Sequence, residues 1–256
     1  MKLLTGKRII VTGGGTGIGQ GIAVRLAAEG AHVCFSYHAS GAGAKETLRL
    51  IKQAKGKAHA FAANLEQMAE GVAMVKAAVK KMGGVDAFVS NAGPTITEPF
   101  LDVTPEVWDR IHNIHLKTAF FSAQAAVRAM AKSEGGRVIF IGSVHGRASA
   151  PKYGPYAAAK GGQEGLTRQL AIELAPRQIT VNCVAPGVVE VERYFRDYPE
   201  YRRDEVARMV PIGRVGFPPD IAAMVAYLVS GQADFLTGQT IVIDGGQLAR
   251  LGLLNL

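Results

Sequence analysis

Arg8-Ile9-Ile10-Val11-Thr12-Gly13-Gly14-Gly15-Thr16-Gly17-Ile18-Gly19 is the stretch that decides the fold. Arg8 to Val11 is a β-branched run suited to a strand, and Gln20 to Glu29 after the glycines carries a helical pattern. Strand, glycine-rich turn and helix together present backbone N–H groups and a helix amino terminus to a phosphate. The general dinucleotide spacing G-x-G-x-x-G is not met, because Ile18 stands where a glycine would have to follow Gly13 and Gly15. The spacing that fits is Gly13, Gly17, Gly19, with Thr16 and Ile18 between them. A glycine loop of no function would have the same composition, so the flanking chain has to decide.

The next predicted strand, His32 to Tyr37, bears on the cofactor. An acid about 20 residues past the glycines would hydrogen-bond an adenosine ribose and repel a 2′-phosphate. Between Glu29 and Glu46 there is no carboxylate, and the place reads Ser36, Tyr37, His38, Ala39, Ser40, whose hydroxyls and imidazole can donate to a phosphate. NADP(H) is therefore favoured and NAD(H) stays open, since no arginine lies between Arg25 and Arg49 and Lys45 is the nearest permanent cation.

The pattern then repeats. Helix Ala42 to Lys55, strand Lys57 to Ala62, helix Met68 to Met82 and strand Ala87 to Ser90 are followed by further strands at Arg137 to Ile141, Thr180 to Ala185 and Thr240 to Ile243. Strands alternating with helices predict an α/β fold, a parallel sheet covered on both faces, in one domain over residues 1–256. Asn64 and Leu65 after the third strand and Asn91, Ala92 and Gly93 after the fourth are placed to meet the adenine and ribose side of a nucleotide. Turn chemistry also accounts for Asn91 and Gly93.

Pro105 to Ser133 reads as one long helix capped by Thr104, and Trp108, Ile111, Phe120 and Val127 give it more apolar surface than one sheet face needs, which suggests a partner helix. Ser143 ends the fifth strand. Tyr156 and Lys160 sit four apart on a helix, roughly 6 Å along its axis. A phenol with a pKa of about 10 needs a neighbouring positive charge to work as a proton shuttle near neutrality, and Lys160 is expected to supply it. Residues 188–210 are the least regular part, with Arg193, Tyr194, Phe195, Tyr198 and Tyr201 around Pro199, and read as a lid over the substrate pocket. The leucine-rich tail from Leu248 to Leu256 is expected to pack on another subunit or fold back.

Composition narrows the partners. The chain has 256 residues, 48% of them hydrophobic, enough for a substantial core, and no apolar run long enough to span a membrane. The start, Met1 to Thr5, lacks the apolar stretch of a signal peptide, so the cytoplasm is expected. Cys34 and Cys183, the two cysteines, lie in strand-like runs and read as buried thiols, without metal-ligand spacing. The net charge of +8 suits an anionic cofactor or an acidic carrier protein. Acids interleave the bases from Arg193 to Arg214, and no stacking pattern or known module points to nucleic acid.

The glycine loop from Thr12 to Gly19, Asn91-Ala92-Gly93, Ser143, Tyr156 to Lys160, Pro186-Gly187, and Thr237-Gly238 through Asp244-Gly245-Gly246 together resemble the short-chain dehydrogenase/reductase family over nearly the whole chain. With the run Arg214 to Ile221, the chain is most similar to the branch holding 3-oxoacyl-carrier-protein reductases and glucose 1-dehydrogenases. The resemblance implies a single-domain Rossmann-like three-layer sandwich with a seven-stranded parallel sheet. It implies Tyr156 as general acid/base, Lys160 on the nicotinamide ribose and lowering the phenol pKa, Ser143 polarising the carbonyl, and Pro186, Gly187 and Val189 along the cofactor. It also implies a homotetramer or homodimer built on the long helices.

Two departures stand out. His115 lies seven residues after Trp108, where the family usually has an asparagine that helps hold a water in the proton relay; a histidine titrating near neutrality would keep the relay and alter its pH dependence. Val191 replaces a threonine that often contacts the cofactor. The expected activity is NADP(H)-preferring interconversion of a small-molecule carbonyl and alcohol, with a carrier-bound substrate as one form of it. The alternative is a nucleotide-binding sensor or scaffold of the same fold with weak catalysis.

Overall fold

The computed structural model describes residues 2–130 and 135–250. Seven strands, β1 (Arg8–Val11), β2 (His32–Tyr37), β3 (Lys57–Ala62), β4 (Ala87–Ser90), β5 (Gly136–Ile141), β6 (Ile179–Pro186) and β7 (Thr240–Ile243), form one sheet in the order β3-β2-β1-β4-β5-β6-β7. Every pairing is parallel. The strand order reverses between β1 and β4, which opens a crevice at the carboxyl ends of the strands.

Side chains alternate along each strand, so the two faces of the sheet feed two cores. Ile9, Val11, Val33 and Phe35 pack on one side with α1 (Gly17–Ala28), α2 (Gly41–Gln53) and α9 (Pro218–Leu228). Ile10, Cys34, Phe88 and Phe140 pack on the other with α3 (Met68–Met82), α5 (Ala119–Ala129) and α6 (Gly154–Leu174). A sheet covered on both faces needs apolar residues at consecutive strand positions, as in these short runs. The fully buried Phe35, Phe88 and Phe140 contribute about 2–3 kcal/mol each by the transfer of their rings from water. Cys34 and Cys183 are buried free thiols. Among the described residues no helix is long and apolar enough to cross a membrane.

The long helix predicted from Pro105 differs from expectation. Thr104 Oγ1 accepts from Val107 N and caps α4 (Pro105–His112), but the wider π turn Asn113–Thr118 separates it from α5, and its predicted end lies among residues outside those described. Trp108 stacks on His112, with 4.1 Å between ring centroids, and stays half-exposed. The segment 188–210 is more regular than its composition suggests, since it holds α7 (Glu192–Asp197) and α8 (Arg203–Met209) on either side of Pro199. Most of the leucine-rich tail lies outside the described residues.

Candidate active site

A cleft of about 890 Å³ runs along the carboxyl edge of the sheet, from the loop after β1 past Ser143 and Tyr156 to α7. Its first wall is the glycine loop. Gly13 and Gly17 have φ of +69° and +58°, which side-chain-bearing residues rarely adopt, and a Cβ on Gly19 would lie 2.0 Å from the Gly13 carbonyl oxygen. The loop is held from behind: Thr47 Oγ1 donates to the Gly14 carbonyl at 3.0 Å, and Gly13 N donates to Ser36 Oγ at 3.1 Å. Ser36 is buried at the edge of the cleft, and the oxygen that takes this bond makes it part of the scaffold as well. Tyr37, His38 and Ser40 line the cleft.

Asn91 lines the cleft and also braces its frame. Its Nδ2 donates to the carbonyls of Thr12 and Gly13 at 3.0 and 3.2 Å, while Thr12 Oγ1 accepts from Asn91 N and Ala92 N at 2.9 and 3.1 Å. The amide thus clamps β1 to β4 at the point where the strand order reverses. Asn64, Leu65, Ala92, Gly93, Pro186, Gly187, Val189 and Val191 all border the cleft.

Bare backbone at the loop, the amino terminus of α1 behind Thr16, and a cleft of this volume fit a dinucleotide.

At the centre of the cleft, the hydroxyls of Ser143 and Thr95 stand beside the phenol of Tyr156 and act on its ionisation. Lys160 Nζ lies 5.4 Å from the Tyr156 ring centroid and donates to the Ile141 carbonyl at 2.7 Å and to Gln163 Oε1 at 3.2 Å. The electrostatics differ from the sequence expectation. Burial raises the phenol pKa above its ordinary value, and the hydroxyls of Ser143 and Thr95 and the charge of Arg193 oppose that rise without reversing it. The Lys160 ammonium, buried behind the ring, is itself pushed down to about 8.

His115 is brought to the same place by the π turn. Its ring meets the Tyr156 ring edge-on, and its Nε2 donates to the Pro94 carbonyl at 2.9 Å, which fixes the tautomer and leaves Nδ1 buried without a partner. Burial and the Lys160 charge push its pKa to about 3, so it does not titrate near neutrality as anticipated. Gly93 leaves room for this ring, since a Cβ there would come within 2.0 Å of His115 Cε1.

Sequence reasoning missed Gln163. From one turn beyond Lys160, its Nε2 donates to the His115 carbonyl at 2.9 Å, so the amide bridges the ammonium and the π turn. A polar residue three positions after Lys160, on an otherwise small-residue helix face, was the available signal. Thr95 and Gln247 were also missed; Gln247 Oε1 accepts from Val188 N at 2.8 Å. Glu190, another, ties the segment 188–210 together: it takes both Arg203 Nε and Nη2, at 2.8 and 2.7 Å, and the Tyr201 hydroxyl at 2.9 Å.

Residues 13–247 match a family model described as enoyl-(acyl carrier protein) reductase. The chain is 38% identical over 247 residues to 3beta-hydroxysteroid dehydrogenase 1 of Eggerthella lenta, with 95% of this chain and 94% of that protein covered. It is 36% identical over 248 residues to glucose 1-dehydrogenase 2 of Bacillus subtilis, with 96% of each covered. Among solved structures, a blue fluorescent protein from a metagenomic library, in complex with NADPH, superposes with a TM-score of 0.88 at 34% identity, over 96% of this chain and 99% of that one.

Proposed function

The chain belongs to the short-chain dehydrogenase/reductase family and is an oxidoreductase of the alcohol/carbonyl class; on that premise we propose that it prefers NADP(H) and that Tyr156 is its general acid/base. The observation that carries the reading is the placement of Ser143 beside Tyr156 at the middle of the cleft, with Lys160 one helical turn on. When bound, the nicotinamide cofactor supplies or accepts the hydride. Ser143 orients and polarises the carbonyl oxygen, and Tyr156 gives that oxygen its proton in reduction and takes it back in oxidation. Lys160 would hold the nicotinamide ribose. His115, neutral and fixed by Pro94, shapes the wall beside the phenol; Gln163 positions Lys160.

The preference for NADP(H) is supported by a β2 end without a carboxylate, by Tyr37, His38 and Ser40 along the cleft, and by the NADPH-bound structural neighbour. Gly13, Thr16, Gly17, Ile18 and Gly19 would hold the pyrophosphate, Asn64, Leu65, Ala92 and Gly93 the adenosine side, and Pro186, Gly187 and Val189 the nicotinamide side. Asn91 would join this adenosine-side set while its amide braces the loop. The whole chain acts as one dinucleotide-binding unit with 188–210 as its lid, in the cytoplasm. Half-exposed Trp108 and a groove between α3 and α5, lined by Val72, Phe121 and Ala125, support a homodimer or homotetramer built on these helices; light scattering on the purified protein checks it.

The deciding experiment is turnover of a carbonyl panel with NADPH, repeated with NADH and with Tyr156→Phe. We expect faster turnover with NADPH and a loss of at least ~100-fold in the variant, the usual scale for removing an acid/base group. Cofactor binding with every carbonyl untouched would return the sensor reading. A carrier-bound substrate would show rates that fall with salt.

A further inference from the structure

The substrate end of the cleft holds a cation whose position the reaction as described does not use. Arg193 lies on the lid helix α7, and its Nη2 donates to Thr95 Oγ1 at 3.5 Å. Thr95 lines the cleft beside Tyr156, and the Arg193 charge itself acts on the phenol, which puts the guanidinium in the neighbourhood of the proton-transferring oxygen. Its carboxylate neighbour is Asp197, at 3.7 Å, but that carboxylate is bound more closely by Arg196, at 2.7 Å. The Arg193 side chain is about one-third exposed, 35%, and faces into the cleft. Aromatic rings line the same part of the cleft: His145 stacks on Tyr153 with centroids 4.1 Å apart, and Tyr194 meets Tyr198 edge-on at 6.0 Å. Burial raises the pKa of Tyr153 and of Tyr194, and the Arg193 charge acts against that rise in both, which places the guanidinium near both rings.

A neutral ketone has no use for a guanidinium there. A carboxylate does: with the carbonyl oxygen between Ser143 and Tyr156, a carboxylate one to three bonds beyond the carbonyl carbon reaches the guanidinium fork, which binds carboxylates in a bidentate manner. We propose that Arg193 is a specificity-determining residue and that the preferred substrates are oxo acids with a flat apolar remainder, together with the matching hydroxy acids. The proposal rests on the reductase reading of the same site and deepens it by naming the substrate class.

The test compares phenylglyoxylate and 4-oxo-4-phenylbutanoate, each against its methyl ester, with NADPH. For at least one pair, wild-type kcat/KM for the acid is expected to exceed that for the ester by about 10- to 100-fold, the scale of a charged hydrogen-bonded contact. Arg193→Met should bring that ratio to about 1 and Arg193→Lys should leave it intermediate. A second readout does not need turnover: mandelate, titrated calorimetrically into the NADPH-loaded protein, should bind at least about 10-fold more weakly to Arg193→Met.

Esters reduced as well as both acids by the wild type, a ratio unmoved in Arg193→Met, or mandelate bound equally by both proteins would each overturn the proposal. So would a weaker Kd for NADPH in Arg193→Met, since the guanidinium would then serve a cofactor phosphate. These failures are distinct from failure of the reductase reading itself, which would appear as no oxidation of NADPH with acid or ester alike.

Discussion

The imidazole of His115 stands edge-on to the ring of Tyr156, 5.4 Å between centroids at 86°, without offering it a proton. Its Nε2–H is committed to Pro94 and its Nδ1 is buried without a partner, so the side chain is a neutral wall.

His115→Asn should therefore leave the limbs of the pH–rate profile between pH 5 and 8 where they are in the wild type. Stability responds instead. The native imidazole takes its proton at about 3 and an unfolded one near 6.5, so the unfolded state binds more protons between those values. Stability must then fall as pH drops from 6.5 towards 3. Denaturant midpoints across that range should fall less steeply in His115→Asn than in the wild type; equal slopes would contradict the burial argument.

The amide of Gln163 offers its oxygen to Lys160 and its nitrogen to the His115 carbonyl. Removing an acceptor from a buried ammonium disfavours its charged form, and adding a carboxylate favours it. Gln163→Met should lower kcat about 10-fold and move the limb belonging to Lys160 below its value of about 8, while Gln163→Glu should move it above. A loss of activity with unmoved limbs in both variants would reduce Gln163 to packing.

Glu190 ties α8 to the end of β6, and its carboxyl is held below the usual carboxylate range, chiefly by the Arg203 hydrogen bonds. Glu190→Gln should loosen the lid, raising KM several-fold and speeding proteolysis near Arg202 and Arg203 with kcat little changed. In the wild type the contribution is present above the ordinary carboxylate pKa and is lost as pH falls through the lowered value. Limited proteolysis should accordingly quicken only in acid below about pH 4.

Tyr37 is the last residue of β2 and borders the cleft. A carboxylate there would accept from a ribose hydroxyl and repel a 2′-phosphate. Tyr37→Asp should reverse the ratio of kcat/KM for NADPH over NADH, from above about 10 to below 1, with steady-state rates as the readout. An unchanged ratio would place the discriminating contact elsewhere, at His38 or Ser40.

Five strands, β1 to β4 and β7, have the bounds that their apolar runs suggest, because such a run ends where a glycine, asparagine or charged turn begins. The candidate catalytic group was legible for a similar reason: Ser143 stands two residues past the end of β5, and Tyr156 and Lys160 share one helix face. What escaped the sequence depends on neighbours distant along the chain. Burial, which raises the Tyr156 pKa and drives His115 far below neutrality, cannot be read from spacing. Asn91 and Ser36 have polar groups that suit a ligand as well as a backbone, and spacing does not reveal the backbone bonds that both make from the cleft wall. No residue type marks a π turn, so the rod from Pro105 looked uninterrupted.

The widened turn at Asn113–Thr118 acts as a one-residue phase shift in an otherwise continuous rod. Without it, every side chain downstream would be rotated by about 100° about the axis, at 3.6 residues per revolution. The shift lets one length of chain present α4 to α6 and then, at a new azimuth, α5 to α3. Because the turn holds one extra residue, deleting a single residue inside it would let the rod close as an uninterrupted helix with α5 still turned to α3, whereas the same deletion early in α5 would turn every side chain beyond it away from the sheet.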